Sequence, residues 1–200
     1  TAPVPGRVYV LELSSYQIDL MPSLDPDVGV LLNISPDHLD RHGSMENYAA
    51  VKARMFARQG EGRTAIIGID DDWSRAIADR LKGPELTRVS VAHALKDGVS
   101  APDGILRRAV SGTASNTIDL RDLATLRGRH NWQNACVAYA AAHALGVADD
   151  VIASAMASFP GLAHRMEIVG KSGHVSFIND SKATNADAAA RALASFDCIY

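Results

Sequence analysis

Continuous apolar runs alternate with amphipathic segments over the first half of the chain. The runs lie at 7–13 (RVYVLEL), 28–34 (VGVLLNI), 63–69 (RTAIIGI) and 87–91 (TRVSV). Unbroken apolar runs are typical of strands that are buried on both faces of a parallel sheet. A helix is predicted over 71–82, directly after the third run. Because strands and helices alternate, the pattern favours an α/β fold with a mostly parallel sheet flanked by helices.

The second half of the chain changes character twice. Between 97 and 120, short strand-like pieces are broken by Gly, Pro, Asp and Ser, which predicts a small β excursion. Helices are then predicted over 131–145 and 149–158. Pro160 and Gly161 end this helical stretch, so we expect a domain boundary near residue 160.

Beyond that boundary the pattern predicts a second, shorter α/β unit. It consists of strands at 164–170 and 174–180 with a turn between them, a helix from about 185 to 194, and a strand-like end at 196–200. The letters GKS at 170–172 are similar to part of a phosphate-binding loop. That loop requires Gly five positions earlier, where Arg165 stands, so we interpret GKS as part of a hairpin.

Composition excludes several classes of function. The 200 residues are 47% hydrophobic and 22% charged, with a formal net charge of -3, which leaves no basic surface for nucleic acid. No apolar run is long enough to insert into a membrane. Cys136 and Cys198 fall in helix and strand patterns and are expected to be buried, which favours a reducing, cytosolic setting. A start without Met and a strand-like end indicate an internal piece of a longer protein.

One lysine falls where the helical pattern calls for an apolar residue. Tyr48, Val51 and Met55 follow helical spacing, and Lys52 lies on the same stripe. Burial lowers the pKa of a lysine and leaves a neutral, reactive amine. The alternative is that the stem of Lys52 packs while its ammonium group reaches water.

Polar residues close the first two predicted strands. Glu12 ends the first, and the residues from Asn33 to His38 follow the second. Ligands bind beyond the carboxyl ends of strands in open α/β sheets, so we expect both sets in one crevice. Ser35 and Pro36 resemble a helix start with Asp37 in its first turn. Glu12 with a nearby histidine suits a divalent ion such as Mg²⁺ that also binds phosphate oxygens.

Two further segments could contact a nucleotide. Asn131 and Asn134 lie three residues apart at a helix start, where two amides can read an adenine edge, although Asn131 could instead cap the helix. The segment NDSKATN, at 179–185, connects a strand to a helix. Such a turn can bind an anion through its backbone N–H groups and Lys182, or be a plain solvent-exposed loop.

Taken together, these motifs resemble the Mur ligase family of ATP-dependent amino-acid ligases. The resemblance covers almost the whole chain and rests on LELSSYQID, NISPDHLDRHGSMENYAAVKARMF, GRHNWQNA, FPGLAHRMEIV and INDSKATN, in this order. It implies that 1–160 belong to the central ATP-binding domain and that 161–200 begin a Rossmann-like C-terminal domain. The SKATN turn is similar to that of family members that add D-glutamate to UDP-N-acetylmuramoyl-L-alanine. A cytoplasmic monomer is expected.

The resemblance also implies roles for individual residues. Lys52 would be carbamylated by CO₂ and would hold Mg²⁺, or Mn²⁺, together with Glu12 and His38. The remaining implied contacts are Ser14, Gln17 and His38 for the muramoyl-alanine substrate, Asn131, Asn134, Arg165, Asp180 and Lys182 for ATP, and Lys182 and Thr184 for D-glutamate.

The implied reaction passes through an acyl phosphate that the D-glutamate amine attacks. The family's GKS/T phosphate loop would lie upstream of the first motif, so we expect this piece alone to be inactive. Two alternatives remain. One is a sibling ligase that adds another amino acid, or glutamate to folate, and the other is a noncatalytic nucleotide-binding module with the same fold.

Overall fold

The computed structural model describes residues 4–184, 186–196 and 198–200, without the side chains of residues 115, 116 and 187. Its strands are β1 Val28–Leu31, β2 Thr64–Gly68, β3 Glu85–Ser90, β4 Gly98–Ser100, β5 Ile105–Val110, β6 Thr113–Asp119, β7 Glu167–Ser172 and β8 Val175–Asn179. Its α-helices are α1 Ser15–Asp19, α2 Leu39–His42, α3 Met45–Ala53, α4 Asp72–Arg80, α5 Arg129–Ala144, α6 Asp149–Ala157 and α7 Ala186–Leu193. Short 3₁₀ turns lie at Arg54–Phe56 and Ala124–Leu126.

The main sheet has six strands in the order β1-β2-β3-β4-β5-β6. Strands β1 to β4 pair in parallel, with Val30 beside Ile66 and Ile66 beside Thr87. Strands β4 to β6 pair antiparallel and form the β excursion that the sequence predicts between 97 and 120. The expected α/β sheet flanked by helices is therefore confirmed.

Helices cover both faces of the parallel part. Ile66 and Val89 point to a core shared with α5 and α6, whereas Ala65 and Ile67 point to a core shared with α3 and α4. Strand β2 contributes to both cores, and its residues 65–67 are fully buried. An apolar side chain at every position is what a strand covered on both faces requires.

The first apolar run is an exception, because residues 7–13 form no strand. They lie outside the sheet; residues 7–12 are exposed and Leu13 is half-buried, and Val10 is 92% exposed. Strand β1 is an edge strand whose partner among the described strands is β2. An apolar run becomes a strand only where a neighbour supplies its backbone hydrogen bonds, and none of the described strands does so here. The prediction of a strand at 7–13 is therefore wrong for this structure.

A two-stranded sheet, β7-β8, follows the α5-α6 pair. Lys171 pairs with Ser176 and Ser172 with Val175, so GKS lies at the end of β7. The turn lies at 173–174 and begins two residues later than the predicted turn at 171–173. The interpretation as a hairpin is confirmed. The boundary near residue 160 stays a prediction.

The two cysteines differ. Cys136 is buried on α5, as predicted, and burial raises the pKa of its thiol to about 12. Cys198 is exposed, and Phe196 and residues 198–200 form no strand, so that part of the prediction is wrong. Residues 185 and 197, which belong to the predicted helix and strand ends, lie outside the described residues. No helix in the described part of the chain has the length and apolar character needed to cross a bilayer.

Candidate active site

A cleft opens at the carboxyl ends of β1, β2 and β3, the position predicted for a ligand. Of the polar residues expected there, Asn33 lines the cleft, whereas Glu12 and His38 do not. The volume of the cleft is about 450 Å³, and its lining residues are Asn33, Asp70, Asp71, Val91, Ala92, Arg129, His130, Gln133, Arg191, Ala194 and Ser195. These residues come from the three strand ends, from the start of α5 and from the end of α7. The cleft thus lies between the parallel sheet and the C-terminal segment.

Gln133 connects the floor of this cleft to α5. Its Oε1 accepts a hydrogen bond of 2.8 Å from Asn33 Nδ2, and its Nε2 donates one of 3.1 Å to Leu32 O. Gln133 is buried, so both ends of its amide need partners, and the end of β1 supplies them. These two hydrogen bonds fix the position of α5 relative to the end of β1.

Two aspartates that line the same cleft accept hydrogen bonds from backbone N–H groups. Asp70 accepts hydrogen bonds from Ser90 Oγ at 2.5 Å and from Val91 N at 2.7 Å. Asp71 caps α4 by accepting from Ser74 N at 2.8 Å, and it also accepts from Ile34 N at 3.2 Å. Both carboxylates hold the loops that follow the parallel strands.

Lys52 lies on α3, half-buried beside the buried Tyr48 and Val51. Its Nζ is 5.7 Å from the centre of the Tyr48 ring. Burial lowers the pKa of Lys52, and the negative charges of Asp37 and Glu12 oppose this shift. The ion pairs among the described residues do not include Lys52. The position that the helical pattern assigns to Lys52 therefore agrees with the structure.

His38 has a left-handed backbone conformation, with φ of 51°. That conformation costs a residue with a side chain roughly 1–2 kcal/mol. The imidazole Nε2 lies 3.4 Å from Asp37 Oδ2, and the ring packs edge-on against Tyr16 at 5.1 Å. Helix α2 begins at Leu39, with His38 at its N-cap. The predicted helix start at Ser35 and Pro36 is wrong, because these residues remain in the loop that Asp71 holds through Ile34.

Glu12 lies in the exposed segment before α1, and its negative charge raises the pKa of Lys52. Within the described residues, no three His, Cys, Asp or Glu side chains converge on a metal position. By donor type alone, the carboxylate of Glu12 suits Mg²⁺ or Mn²⁺, which prefer oxygen ligands, and a carbamate on Lys52 would add oxygen donors of the same kind.

Ser14 and Gln17 form a capping box on α1. Ser14 Oγ accepts from Gln17 N at 3.3 Å, and Gln17 Oε1 accepts from Ser14 N at 2.8 Å. Both side chains are exposed. Their hydrogen bonds give α1 a fixed start, and their remaining polar groups face solvent.

The asparagine pair lies on one face of α5, as predicted. Asn134 Nδ2 donates to Asn131 Oδ1 at 3.3 Å, and Asn131 Nδ2 donates to Arg127 O at 2.8 Å. The helix begins at Arg129 behind Gly128, so Asn131 is not its cap. Asn131 is buried, whereas Asn134 is exposed at the edge of an apolar cavity of about 380 Å³ between α5 and α6.

The C-terminal candidates approach the start of α5 without contacting the asparagines. The pKa of His130 is lowered by burial and by the charges of Arg191 and Arg165, and Asp180 opposes this shift. Arg165 and Asp180 thus act on the residue that precedes Asn131. Asp180 Oδ1 accepts from Met166 N at 3.0 Å, and Lys182 N donates to His164 O at 3.0 Å. The side chains of Lys182 and Thr184 are exposed.

The candidates therefore fall into two groups. Near α3, the charges of Glu12 and Asp37 act on Lys52, and His38 adjoins Asp37. At the start of α5, which carries Asn131 and Asn134, the charges of Arg165 and Asp180 act on His130. A family model of the Mur ligase middle domain matches residues 5–142. The chain belongs to the Mur ligase family.

Proteins similar to this chain include two UDP-N-acetylmuramoylalanine–D-glutamate ligases. The one from Nitrobacter hamburgensis is 55% identical over 99% of this chain and 43% of its own length. The one from a Chelativorans species is 58% identical over 99% of this chain and 42% of its own length. The chain thus spans less than half the length of the curated relatives it matches.

Solved Mur ligase structures share the fold. A MurF from Acinetobacter baumannii, 24% identical, superimposes with a TM-score of 0.66 over 92% of this chain and 40% of its own. A MurF ligase from Thermotoga maritima in complex with ADP, 18% identical, gives 0.62 over 90% of this chain and 42% of its own.

Sequence reasoning missed two residues that line the cleft, Gln133 and Arg129. Arg129 Nη2 donates to Val91 O at 2.5 Å across the cleft. Both residues stand within the GRHNWQNA motif, but their partners lie on loops far away in the chain. A usable signal was the glutamine on the inward face of α5, since a buried amide requires a polar partner.

Proposed function

We propose that this chain is the central part of a ligase that adds D-glutamate to UDP-N-acetylmuramoyl-L-alanine at the expense of ATP, in cytoplasmic peptidoglycan precursor synthesis. Relatives that carry this name are 52–58% identical to it over nearly its whole length. The structural observation that carries the proposal is the half-buried Lys52, whose pKa is set by burial against the charges of Asp37 and Glu12.

The reaction joins an amine to a carboxylate. The alanine carboxylate attacks the γ-phosphorus of ATP to give an acyl phosphate and ADP. The D-glutamate amine then attacks the acyl carbon, and the tetrahedral intermediate expels phosphate and loses a proton to leave an amide. Two anions must approach each other in the first step, so the site needs positive charge between them.

Lys52, Glu12 and His38 are the residues that we propose to hold Mg²⁺ or Mn²⁺. Lys52 would do so as a carbamate, formed when its neutral amine adds CO₂ and releases a proton. The ion, when bound, would neutralise charge between the γ-phosphate and the carboxylate. The lowered pKa of Lys52 supports this assignment, because only the neutral amine reacts with CO₂.

The remaining assignments follow the two groups described above. We propose that Asn131, Asn134, Arg165, Asp180 and Lys182 contact ATP, and that Lys182 and Thr184 contact D-glutamate. Ser14, Gln17 and His38 would contact the muramoyl-alanine substrate through the polar groups of α1 and of the loop before α2. Residues 1–160 would belong to the central domain and 161–200 would begin the C-terminal domain of a monomeric enzyme.

Phosphate release by the full-length protein that carries this chain tests the proposal. It is measured with ATP, Mg²⁺ and UDP-N-acetylmuramoyl-L-alanine, and with D-glutamate, L-glutamate, L-lysine or meso-diaminopimelate in turn. Release that depends on D-glutamate alone is expected. Release with another amino acid would identify a sibling ligase, and no release with any of them would favour a noncatalytic nucleotide-binding module.

A further inference from the structure

Arg127 joins the start of α5 to the end of α7. Its Nε donates a hydrogen bond of 2.8 Å to Ser195 O, and its guanidinium carbon lies 4.8 Å from the centre of the Phe196 ring. Ser195 and Phe196 lie two and three residues after the end of α7, and their N–H groups donate to Ala192 O and Leu193 O. The contact therefore lies at the carboxyl end of a helical segment.

Charge makes this contact favourable. The last carbonyl groups of a helix have no partner within the helix and carry partial negative charge. A guanidinium group can donate to such a carbonyl and at the same time stack on an aromatic ring. Arg127 makes both interactions with two consecutive residues, which fixes the helix end in direction as well as in position.

The backbone at this point allows a close approach. Gly128 has φ of 93°, and a Cβ atom on it would lie 2.2 Å from Ser195 Oγ. A side chain at this position would force the Ser195 hydroxyl to move. Gly128 therefore leaves room for Ser195 to lie against the start of α5.

The same arginine is linked to the proposed nucleotide site. Its carbonyl accepts from Asn131 Nδ2 at 2.8 Å, and Asn131 Oδ1 accepts from Asn134 Nδ2 at 3.3 Å. Helix α7 begins two residues after Thr184, the last described residue of the SKATN turn. The backbone of Arg127 thus contacts the asparagine pair, and its side chain contacts the end of the helix that follows the SKATN turn.

We propose that Arg127 is a positioning residue that docks α7 onto the start of α5 and so holds the SKATN turn beside Asn131 and Asn134. The proposal rests on the ligase function proposed above. Arg127 need not touch a substrate for this role, because it acts through the carbonyl of Ser195 and the ring of Phe196.

Arg121 supplies a matched control. It is exposed like Arg127 and borders the same cavity of about 430 Å³, but it pairs with Asp119 on its own side of the cavity. Arg121→Ala therefore removes an arginine from this cavity without removing the contact to α7. Arg127→Lys keeps a donor for Ser195 O and loses the planar stacking group.

A distance measurement tests the docking without relying on turnover. Ser154→Cys on α6 and Ser172→Cys on β7, both at exposed positions, carry the spin labels. The distance between the two labels is measured in full-length protein with a nonhydrolysable ATP analogue. Cys198→Ser removes the exposed thiol, and buried Cys136 stays unlabelled. One narrow distance distribution is expected for the parent and for Arg121→Ala, and a broader one for Arg127→Ala. The same distribution in Arg127→Ala as in Arg121→Ala would overturn the proposal.

Kinetics provide the second readout. Arg127→Ala is expected to lower kcat/KM for ATP about tenfold, which corresponds to loss of about 1.4 kcal/mol, and Arg127→Lys to restore part of it. An equal loss in Arg121→Ala would contradict the docking role. If the parent releases no phosphate with D-glutamate, the ligase function fails while the distance measurement still decides the docking. If Arg127→Ala does not fold, Arg127→Lys and Phe196→Leu decide it by the same distances.

Discussion

At the scale of single residues, Lys52 is governed by opposing effects. Burial favours its neutral amine, and the carboxylates of Asp37 and Glu12 favour its ammonium form. Burial is the larger effect, so the pKa lies below the usual lysine range. Between that lowered pKa and the ordinary lysine value of about 10.4, a larger fraction of Lys52 than of an exposed lysine is neutral.

Carbamate formation should therefore begin at lower pH on Lys52 than on exposed Lys82. As pH falls below the lowered pKa, the amine becomes protonated and the carbamate is lost. Carbon NMR of the protein with isotope-labelled bicarbonate, repeated over a pH series, would follow both lysines, and Lys52→Arg assigns the signal. A carbamate on Lys52 that needs the same pH as that on Lys82 would contradict the pKa argument.

At the scale of elements, side chains that line the cleft hold the loops after the parallel strands by hydrogen bonds. Asp71 is the clearest case, because one carboxylate caps α4 through Ser74 N and also bonds Ile34 N in the loop before α2. That loop leads to His38, so the cap of one helix positions the residue that begins another.

Asp71→Ala is expected to lower the free energy of unfolding by about 1–2 kcal/mol, since the helix loses its cap and the loop loses an acceptor. Urea denaturation measures it. Asp72→Ala is the matched control: Asp72 is exposed and makes a surface ion pair with Arg75, so its loss should stay within about 0.5 kcal/mol. Equal losses in the two variants would show that the cap contributes nothing specific.

Elements with a local signal could be predicted from the sequence. Periodicity and flanking Gly or Pro predict α4, α5 and α6 to within two residues at each end. The run at 7–13 carries an equally strong signal and forms no strand, because a strand also requires a partner that the run itself does not encode. The start of α2 differs from the prediction for a similar reason. Ser35 and Pro36 have the local pattern of a helix start, but Asp71, distant in the sequence, holds this segment as a loop through Ile34 N, and α2 begins at Leu39.

At the scale of the whole molecule, the candidate site joins segments from the entire chain. Lys52 could be singled out from helical spacing alone, and the structure places it half-buried as expected. The contacts of Gln133 and Arg127 do not follow from spacing, because their partners, Asn33 and Ser195, are distant in the sequence. Helix α5 packs against β1, and Arg127, just before α5, meets the residues that follow α7. Motif order supplies the candidate residues, and long-range packing determines what each one contacts.

We propose that Lys52 acts as a carbamate in the ligase site. The most direct test is D-glutamate-dependent phosphate release by full-length Lys52→Ala, with and without a short-chain carboxylic acid that can replace the missing carbamate. We expect activity to fall by at least about a hundredfold, as for loss of a charge-stabilising group, and the acid to restore part of it. Activity close to that of the parent, or a loss that no carboxylic acid reverses, would contradict the carbamate role.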